Sequence, residues 1–323
     1  MKTSHDVVVL GAGVAGLTTA LVLKQRGHGV TIVAQSMPGD ESTDYASPRA
    51  GAHWRTMAPN DNRLLQDFDK CSYEKFLEFG RTMPTDTGVV IVPGIDYYDN
   101  AIPETEDPWF KEMVKNFAFI PTNKLPKGAK VGHSYTTGMV NCTGLGARQL
   151  GGVQDAAMFP TRGQTLIVQP TTPIRKTITH IGNGFIHYVI PRSDGTVVLG
   201  GTSQPNNFDP NPQQETTQKI LQETVLLCPE LKSCSVLKIS VGFRPSRQGG
   251  VRIENQYYGK FKDPCIAIIH ASYTMISKID TAKQTKILVT HAYGHGGFGF
   301  QSSWGASAYT ADLLERGLHS SKL

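Results

Sequence analysis

Near the start of the chain three glycines stand at a spacing that serves phosphate chemistry: Gly11, Gly13 and Gly16, in Gly11-Ala12-Gly13-Val14-Ala15-Gly16. They follow a β-branched run from Asp6 to Leu10 and open a helical pattern, Leu17 to Gln25, closed by Arg26-Gly27-His28-Gly29. A second β-branched run, Val30 to Val33, comes next. Strand, glycine turn, helix and strand in that order make the βαβ unit that binds a dinucleotide. Gly11 permits the tight turn out of the strand, Gly13 lets the backbone approach a pyrophosphate, and Gly16 lets helix and strand pack closely. The pyrophosphate then meets the helix N-terminus, where free N–H groups and the helix dipole favour an anion. The acid that would hold a ribose at the end of the second strand is absent, because Ala34-Gln35 occupy that place. The motif therefore specifies a dinucleotide without choosing between NAD and FAD.

The rest of the chain must position this turn. Met37 to Trp54 is a long Gly-, Ser- and Pro-rich stretch, read as a loop packed against a ligand. Asn62 to Arg81 places Leu64, Leu65, Phe68, Phe76, Leu77 and Phe79 at helical spacing, an amphipathic helix on a core. Gly88 to Val92 reads as a strand, with Tyr97, Tyr98 and Trp109 as packing residues in a loop-rich region. Met139 to Ala147 is a short strand running into a glycine turn, either a second cofactor-facing turn or an ordinary strand end. Gln164 to Gln169 reads as a strand. Phe185 to Ile190 and Thr196 to Leu199 form a hairpin around Asp194-Gly195. Glu215 to Leu227 is helical in pattern, and Leu237 to Phe243 and Cys265 to Ile269 alternate as strands do. Ile287 to Phe300 repeats the opening architecture, with a strand, the turn Gly294-His295-Gly296-Gly297-Phe298-Gly299, and a helix from Gln301 to Leu314. The expectation is a parallel sheet built from both termini with a β-rich middle inserted. The two glycine turns would meet around one extended cofactor.

The chain has 323 residues, enough for one large or two intertwined domains with a sizeable core. Hydrophobic residues make up 39% and charged residues 18%, the balance of a folded chain. The net charge of +5 comes from scattered residues with no Lys/Arg tract among aromatics, so nucleic acid is not an expected partner. A mild positive balance suits an anionic cofactor and an acidic substrate equally. The five cysteines are odd in number and form no C-x-x-C pair, so neither a disulfide framework nor a zinc site is expected. No signal peptide precedes the first strand and no apolar run is long enough to span a membrane. The last three residues, Ser321-Lys322-Leu323, read as a peroxisomal address.

Taken together, the motifs resemble those of the D-amino-acid oxidase family of FAD enzymes over nearly the whole chain. The resemblance rests on Val9 to Leu17, Tyr45-Ala46-Ser47-Pro48, Asn141 to Ala147, Arg162-Gly163-Gln164, Tyr188 to Arg192, Gly242-Phe243-Arg244-Pro245 and Gly294 to Gly299. It implies an α/β fold with a Rossmann-type FAD-binding domain (1–55, 131–165, 265–323) and an inserted, mainly antiparallel substrate-binding domain (56–130, 166–264). It implies FAD contacts from Gly11, Gly13, Val14, Ala15, Gly16, Ser47, Gly51, Ala52, Thr143, Gly144, Gly296, Gly297, Phe298, Gly299 and Phe300. The family reaction is hydride transfer from the Cα of a D-amino acid to flavin, with O₂ reduced to H₂O₂, so no protein acid or base is required. Arg244 matches the arginine that clamps the α-carboxylate, where a planar fork is better than an ammonium. Tyr188 matches the tyrosine that donates to the same carboxylate, and Gly297 lies in the segment facing the substrate amine.

His53 and Ser203 bear on the substrate side chain. A histidine at this place resembles family members that prefer acidic D-amino acids, and it donates to a carboxylate more strongly once protonated. Ser203 leaves space and a hydroxyl. Arg192, Arg247 and Arg49 are further candidates. D-aspartate is the substrate this points to; a neutral D-amino acid, glycine or sarcosine, and a truncated non-catalytic member are the alternatives. The family normally places a helix and a strand between Thr137 and Gly138, and here the flanks join directly. Expected partners are the amino acid, O₂ and a peroxisomal import receptor, with a homo-oligomer open.

Overall fold

A computed structural model describes residues 4–138, 155–258 and 287–320. β1 (Asp6–Leu10) and β2 (Gly29–Val33) pair in parallel, with α1 (Val14–Gln25) crossing between them. Gly11 turns out of β1 at φ +101°, a conformation that L side chains rarely adopt. A Cβ on Gly16 would lie 2.0 Å from the Gly11 carbonyl oxygen, so only glycine allows the helix this close to the turn. Gly13 is the N-cap of α1, and no side chain caps that end. Val9, Ala20, Val22, Leu23 and Ala311, the last from the far end of the chain, share one core.

α2 (Arg63–Thr82) starts where the Asn62 side chain accepts from Leu65 N–H at 3.2 Å. It buries Phe68, Tyr73, Phe76 and Leu77, three of which were legible in the spacing. α3 (Pro84–Thr87) follows and ends at Gly88, which is left-handed at φ +66°. The next strand therefore starts later than the expected 88–92: β3 is Ile91–Tyr98. Tyr97 and Tyr98 lie in this strand and not in a loop-rich region; Pro93, Gly94 and Asp96 had broken the apolar alternation there.

α4 (Pro103–Glu106), β4 (Ala118–Phe119), β5 (Val131–Gly138), β6 (Met158–Gln169), β7 (Thr177–Gly182), β8 (Phe185–Pro191), β9 (Val197–Gly200), β10 (Gln204–Pro205), α5 (Gln214–Leu227) and β11 (Ser235–Arg247) make the middle of the chain. Their sheet runs β10-β6-β9-β8-β7-β3-β5-β4, with β11 also on β6. It is antiparallel except for β3 against β7. The hairpin of β8 and β9 turns at Asp194-Gly195, where Asp194 accepts from Thr196 N–H at 2.9 Å. α5 covers one face through Ile220, packed with Leu166, Val168, Val189 and Leu199.

The C-terminal part departs from expectation in one respect. β13 (Ile287–Tyr293) does not extend the parallel pair of β1 and β2 among the described residues. It pairs antiparallel with β12 (Arg252–Tyr258), from Arg252 opposite Tyr293 to Tyr258 opposite Ile287. α6 (Ser303–Ser320) packs on this pair, with Asn255 Nδ2 donating to Leu313 O at 2.7 Å, and on α1. A β-branched run fixes strand character but carries no label for its partner, so the pairing with β12 could not be read from the sequence. Thr137 and Gly138 sit in β5 opposite Val92 and Ile91. The direct join between them is thus the last step of β5, while the turn with Thr143 and Gly144, the Cys265–Ile269 strand and the Ser-Lys-Leu tail lie outside the described residues.

Candidate active site

The two glycine turns meet. A Cβ on Gly299 would lie 3.5 Å from Val14 Cγ1, at the first residue of α1, and 3.6 Å from His295 Cβ. The loop between β2 and α2 joins them: Tyr45 is buried and its hydroxyl donates to Ala12 O at 2.9 Å. Ser47–Arg49 forms a single 3-10 turn in that loop. The loop also leans on the large sheet, where a Cβ on Gly51 would lie 2.6 Å from Ile190 Cδ1 and Arg192 Nη2 donates to Ala50 O at 3.2 Å. Gly11, Gly13, Val14, Ala15, Gly16, Ser47, Gly51, Ala52 and Gly296 to Phe300 thus come from three segments that the fold draws together.

Buried polar atoms without a protein partner mark the same place. Of nine such atoms among the described residues, five lie on these segments: Ser47 Oγ, Arg49 Nε, His53 Nδ1, His295 Nε2 and Ser303 Oγ; the other four are on Arg55, His133, Thr179 and His187. Leaving a buried polar group unpaired costs about 1–3 kcal/mol, so five on adjoining segments point to a polar ligand. The uncapped N-terminus of α1 adds unpaired N–H groups suited to a phosphate. FAD, which brings hydroxyl, amide and pyrophosphate groups, fits this set.

On the sheet side, Arg244 lies on β11 opposite Thr161. Its guanidinium rests on the backbone of Gly163, where a Cβ would be 2.5–2.6 Å from Nη1, Nη2 and Cζ. Nη1 donates to Thr202 O at 2.8 Å, and Arg244 has no carboxylate partner among the described residues. Gly297 is beside it, with a Cβ there 3.5 Å from Arg244 Cδ. Tyr188 on β8 stands opposite Gly200 and covers it: a Cβ on Gly200 would be 2.1 Å from Tyr188 Cζ. Arg244 and Tyr188 are therefore both fitted to the Gly200-Gly201-Thr202 segment. Ser203 follows directly and is exposed. Gly163, Gly200 and Thr202 escaped sequence reasoning as supports; glycine inside a strand pattern was the available signal.

His53 is half-buried, and burial pulls its pKa down to about 4, with Asp96 opposing and Arg55 adding. Burial thus favours the neutral ring near pH 7. Behind it lies a buried ionic group: Arg55 Nε is 3.2 Å from Asp96 Oδ1, and Tyr135 Oη donates to Asp96 Oδ2 at 2.7 Å. Burial acts against the Arg55 charge, but Asp96, Tyr98 and Tyr135 hold its pKa above the ordinary value. Trp54 Nε1 donates to Asp69 O at 2.9 Å, and Thr137 Oγ1 donates to Trp54 O. Of the remaining arginines, Arg247 is committed to Asp155 at 2.9 Å and Arg192 to the cofactor-side loop. Among the described residues no group of His, Cys, Asp and Glu could hold a metal ion, and no helix is long and apolar enough to cross a membrane.

The family model described as FAD dependent oxidoreductase (DAO) matches residues 6–105 and 118–313. The chain is 29% identical to a D-amino-acid oxidase from Schizosaccharomyces pombe, over 93% of this chain and 93% of that one. It is 28% identical to a D-amino-acid oxidase from Fusarium vanettenii over 97% of both, and 27% identical to a D-aspartate oxidase from Cryptococcus neoformans over 97% and 98%. Among solved structures, glycine oxidase from Bacillus cereus has a TM-score of 0.68 at 18% identity, covering 96% of this chain and 97% of its own. L-proline dehydrogenase from P. horikoshii has a TM-score of 0.66 at 15% identity, covering 98% and 95%. At these identities the structures share the fold.

Proposed function

Because this chain belongs to the DAO family of FAD-dependent oxidoreductases, we propose that it oxidatively deaminates an acidic D-amino acid, D-aspartate, to the 2-oxo acid and ammonia. The observation that carries the reading is Arg244, a half-buried guanidinium without a carboxylate partner among the described residues, held beside Gly297 of the second glycine turn. An arginine supported this way suits a bidentate α-carboxylate. Tyr188 donates its hydroxyl to the same carboxylate, and the backbone around Gly297 faces the substrate amine. Bound FAD supplies two-electron oxidation, with hydride accepted from Cα and O₂ reduced to H₂O₂. The protein's own part is to bind, orient and exclude water; no side chain takes the Cα proton, and the imine is hydrolysed after release.

His53 and Ser203 support the acidic side chain, as a neutral imidazole donor and a hydroxyl, and one relative bears the name D-aspartate oxidase. The neutrality of His53 also favours a second reading, a neutral D-amino acid, because no charge on that ring selects a carboxylate. Turnover decides: kcat/KM for D-aspartate should exceed that for D-alanine, and His53→Ala should raise the D-aspartate KM. Preference for D-alanine overturns the acidic reading. Bleaching of the flavin absorbance on anaerobic addition of D-aspartate tests the oxidase itself, and a colourless protein would favour a non-catalytic member.

The same proposal covers the two domains, 1–55 with 131–165 and 265–323 holding FAD, and 56–130 with 166–264 holding substrate. It places the protein in the peroxisome matrix through Ser321-Lys322-Leu323 and its import receptor, where peroxide is destroyed. Loss of peroxisomal import on changing that tripeptide is the test.

A further inference from the structure

Asp69 has a place that packing alone does not require. It lies on α2, 3% exposed, and its Oδ2 accepts from Thr56 Oγ1 at 2.6 Å and Gln301 Nε2 at 3.0 Å. Its main-chain carbonyl accepts from Trp54 Nε1 at 2.9 Å. Trp54 and Thr56 belong to the segment that presents His53, and Gln301 is the residue after the second glycine turn and Phe300. One carboxyl therefore ties together two segments that the fold places at the FAD site. The bracket continues one turn along α2, where Ser72 Oγ accepts from Trp304 N at 3.0 Å and Gly305 N at 3.3 Å.

No ion pair holds this carboxyl among the described residues. Asp67 and Lys70 are on the exposed face of α2, and Tyr73 donates to Thr136 O. In the preceding segment, His53 and Arg55 are coupled to Asp96. On α6, Tyr309 packs on the Phe68 ring, and Asp312 and Glu315 pair with Arg26 near the other end. Burying a carboxyl with only two neutral donors is costly, and an amide or hydroxyl would fill the space without that cost.

We propose that Asp69 is a positioning residue that latches the second glycine turn through Gln301, so that its ionised form holds FAD more tightly than its protonated form. The inference rests on the reading that this turn contacts FAD. The ionised carboxylate accepts charge-assisted bonds from Gln301 and Thr56, about twice as strong as those to a neutral group. Burial pushes the Asp69 pKa up to about 7, against both hydrogen bonds, so the two forms exchange near neutral pH. FAD then leaves faster as pH falls through 7, by about fivefold to tenfold for one such bond weakened.

The test is the rate of FAD release from the holoenzyme, followed by flavin fluorescence on dilution between pH 5.5 and 8.5. Wild type should release FAD faster at the acid end. Asp69→Asn and Gln301→Leu should each speed release at pH 8 and flatten the pH profile, and the double variant should add little to either. Additive effects, or a wild-type pH profile in Asp69→Asn, overturn the latch. If Asp69→Asn does not fold, a wild-type profile in Gln301→Leu overturns it equally. Gly296→Ala separates the two readings, since Gly296 sits at φ +57°, where an L side chain strains the turn, and the change does not touch Asp69. Unchanged release in Gly296→Ala removes the turn from FAD; altered release there, with wild-type behaviour in the other variants, removes the latch alone.

Discussion

At Gly305 the backbones of α2 and α6 meet directly, and alanine there sets two effects of opposite sign against each other. A Cβ would lie 2.3 Å from Phe68 Cα, 2.5 Å from Phe68 O and 2.8 Å from Phe68 C. All three are backbone atoms of α2, so no rotamer relieves the contact. Carbon atoms rest at about 3.5–4.0 Å, so the helices must part by about 1 Å or more. Helix propensity favours alanine by about 1 kcal/mol. Overpacking costs about 1–3 kcal/mol. Parting the helices also stretches the two bonds to Ser72 Oγ, which is fully buried, at about 1 kcal/mol each. The net is a destabilisation of about 2–4 kcal/mol. At about 2 °C per kcal/mol for a long chain, the unfolding midpoint of Gly305→Ala should fall by about 4–8 °C. Thermal scans followed by circular dichroism and by flavin fluorescence measure it. A midpoint equal to or above wild type would refute backbone contact at this crossing, because propensity alone would then have decided the sign.

Three further outcomes follow from the same geometry. Arg244→Lys keeps the charge but loses the fork, so kcat/KM should drop about 10- to 100-fold, the equivalent of one charge-assisted bond, with the flavin spectrum intact; an unchanged KM removes the clamp. Gly200→Ala puts a methyl 2.1 Å from Tyr188 Cζ and should displace that ring, raising KM while FAD is retained, and a wild-type KM would show that Tyr188 binds no substrate. His53 and His295 are both held near pKa 4 by burial, below the ordinary 6.5, so the unfolded chain takes up protons first. Their contribution is complete above pH 6.5 and is lost as pH falls towards 4, by at most about 3 kcal/mol for His53. His53→Gln should flatten the fall in unfolding midpoint over that interval; an equally steep fall would place His53 in contact with solvent.

What the residues disclosed, and what they withheld, divides along sequence separation. The turn at Gly11 to Gly16, α2 and the hairpin of β8 and β9 are local: glycine at a positive φ, a 3.6-residue period and an Asp-Gly turn each state their structure within a few positions. β13 was recognisable as a strand, but its pairing with β12 was not, since β-branched residues suit any neighbour. Asp69 was hidden for a related reason. It stands in a helix pattern beside polar residues, and only the fold brings Gln301, far along the chain, to its carboxyl. The glycines of the sheet are intermediate. Gly163 and Gly200 interrupt strands, and a missing side chain there says that something lies on the backbone. Naming it needs the register: Gly200 is opposite Tyr188, and Gly163 is opposite Gly242, two residues from Arg244. The residues proposed to bind substrate were thus paired in the sequence with the glycines that make room for them. The register turns that pairing into a support, because a Cβ at Gly163 or Gly200 would occupy the space that the Arg244 guanidinium and the Tyr188 phenol ring take.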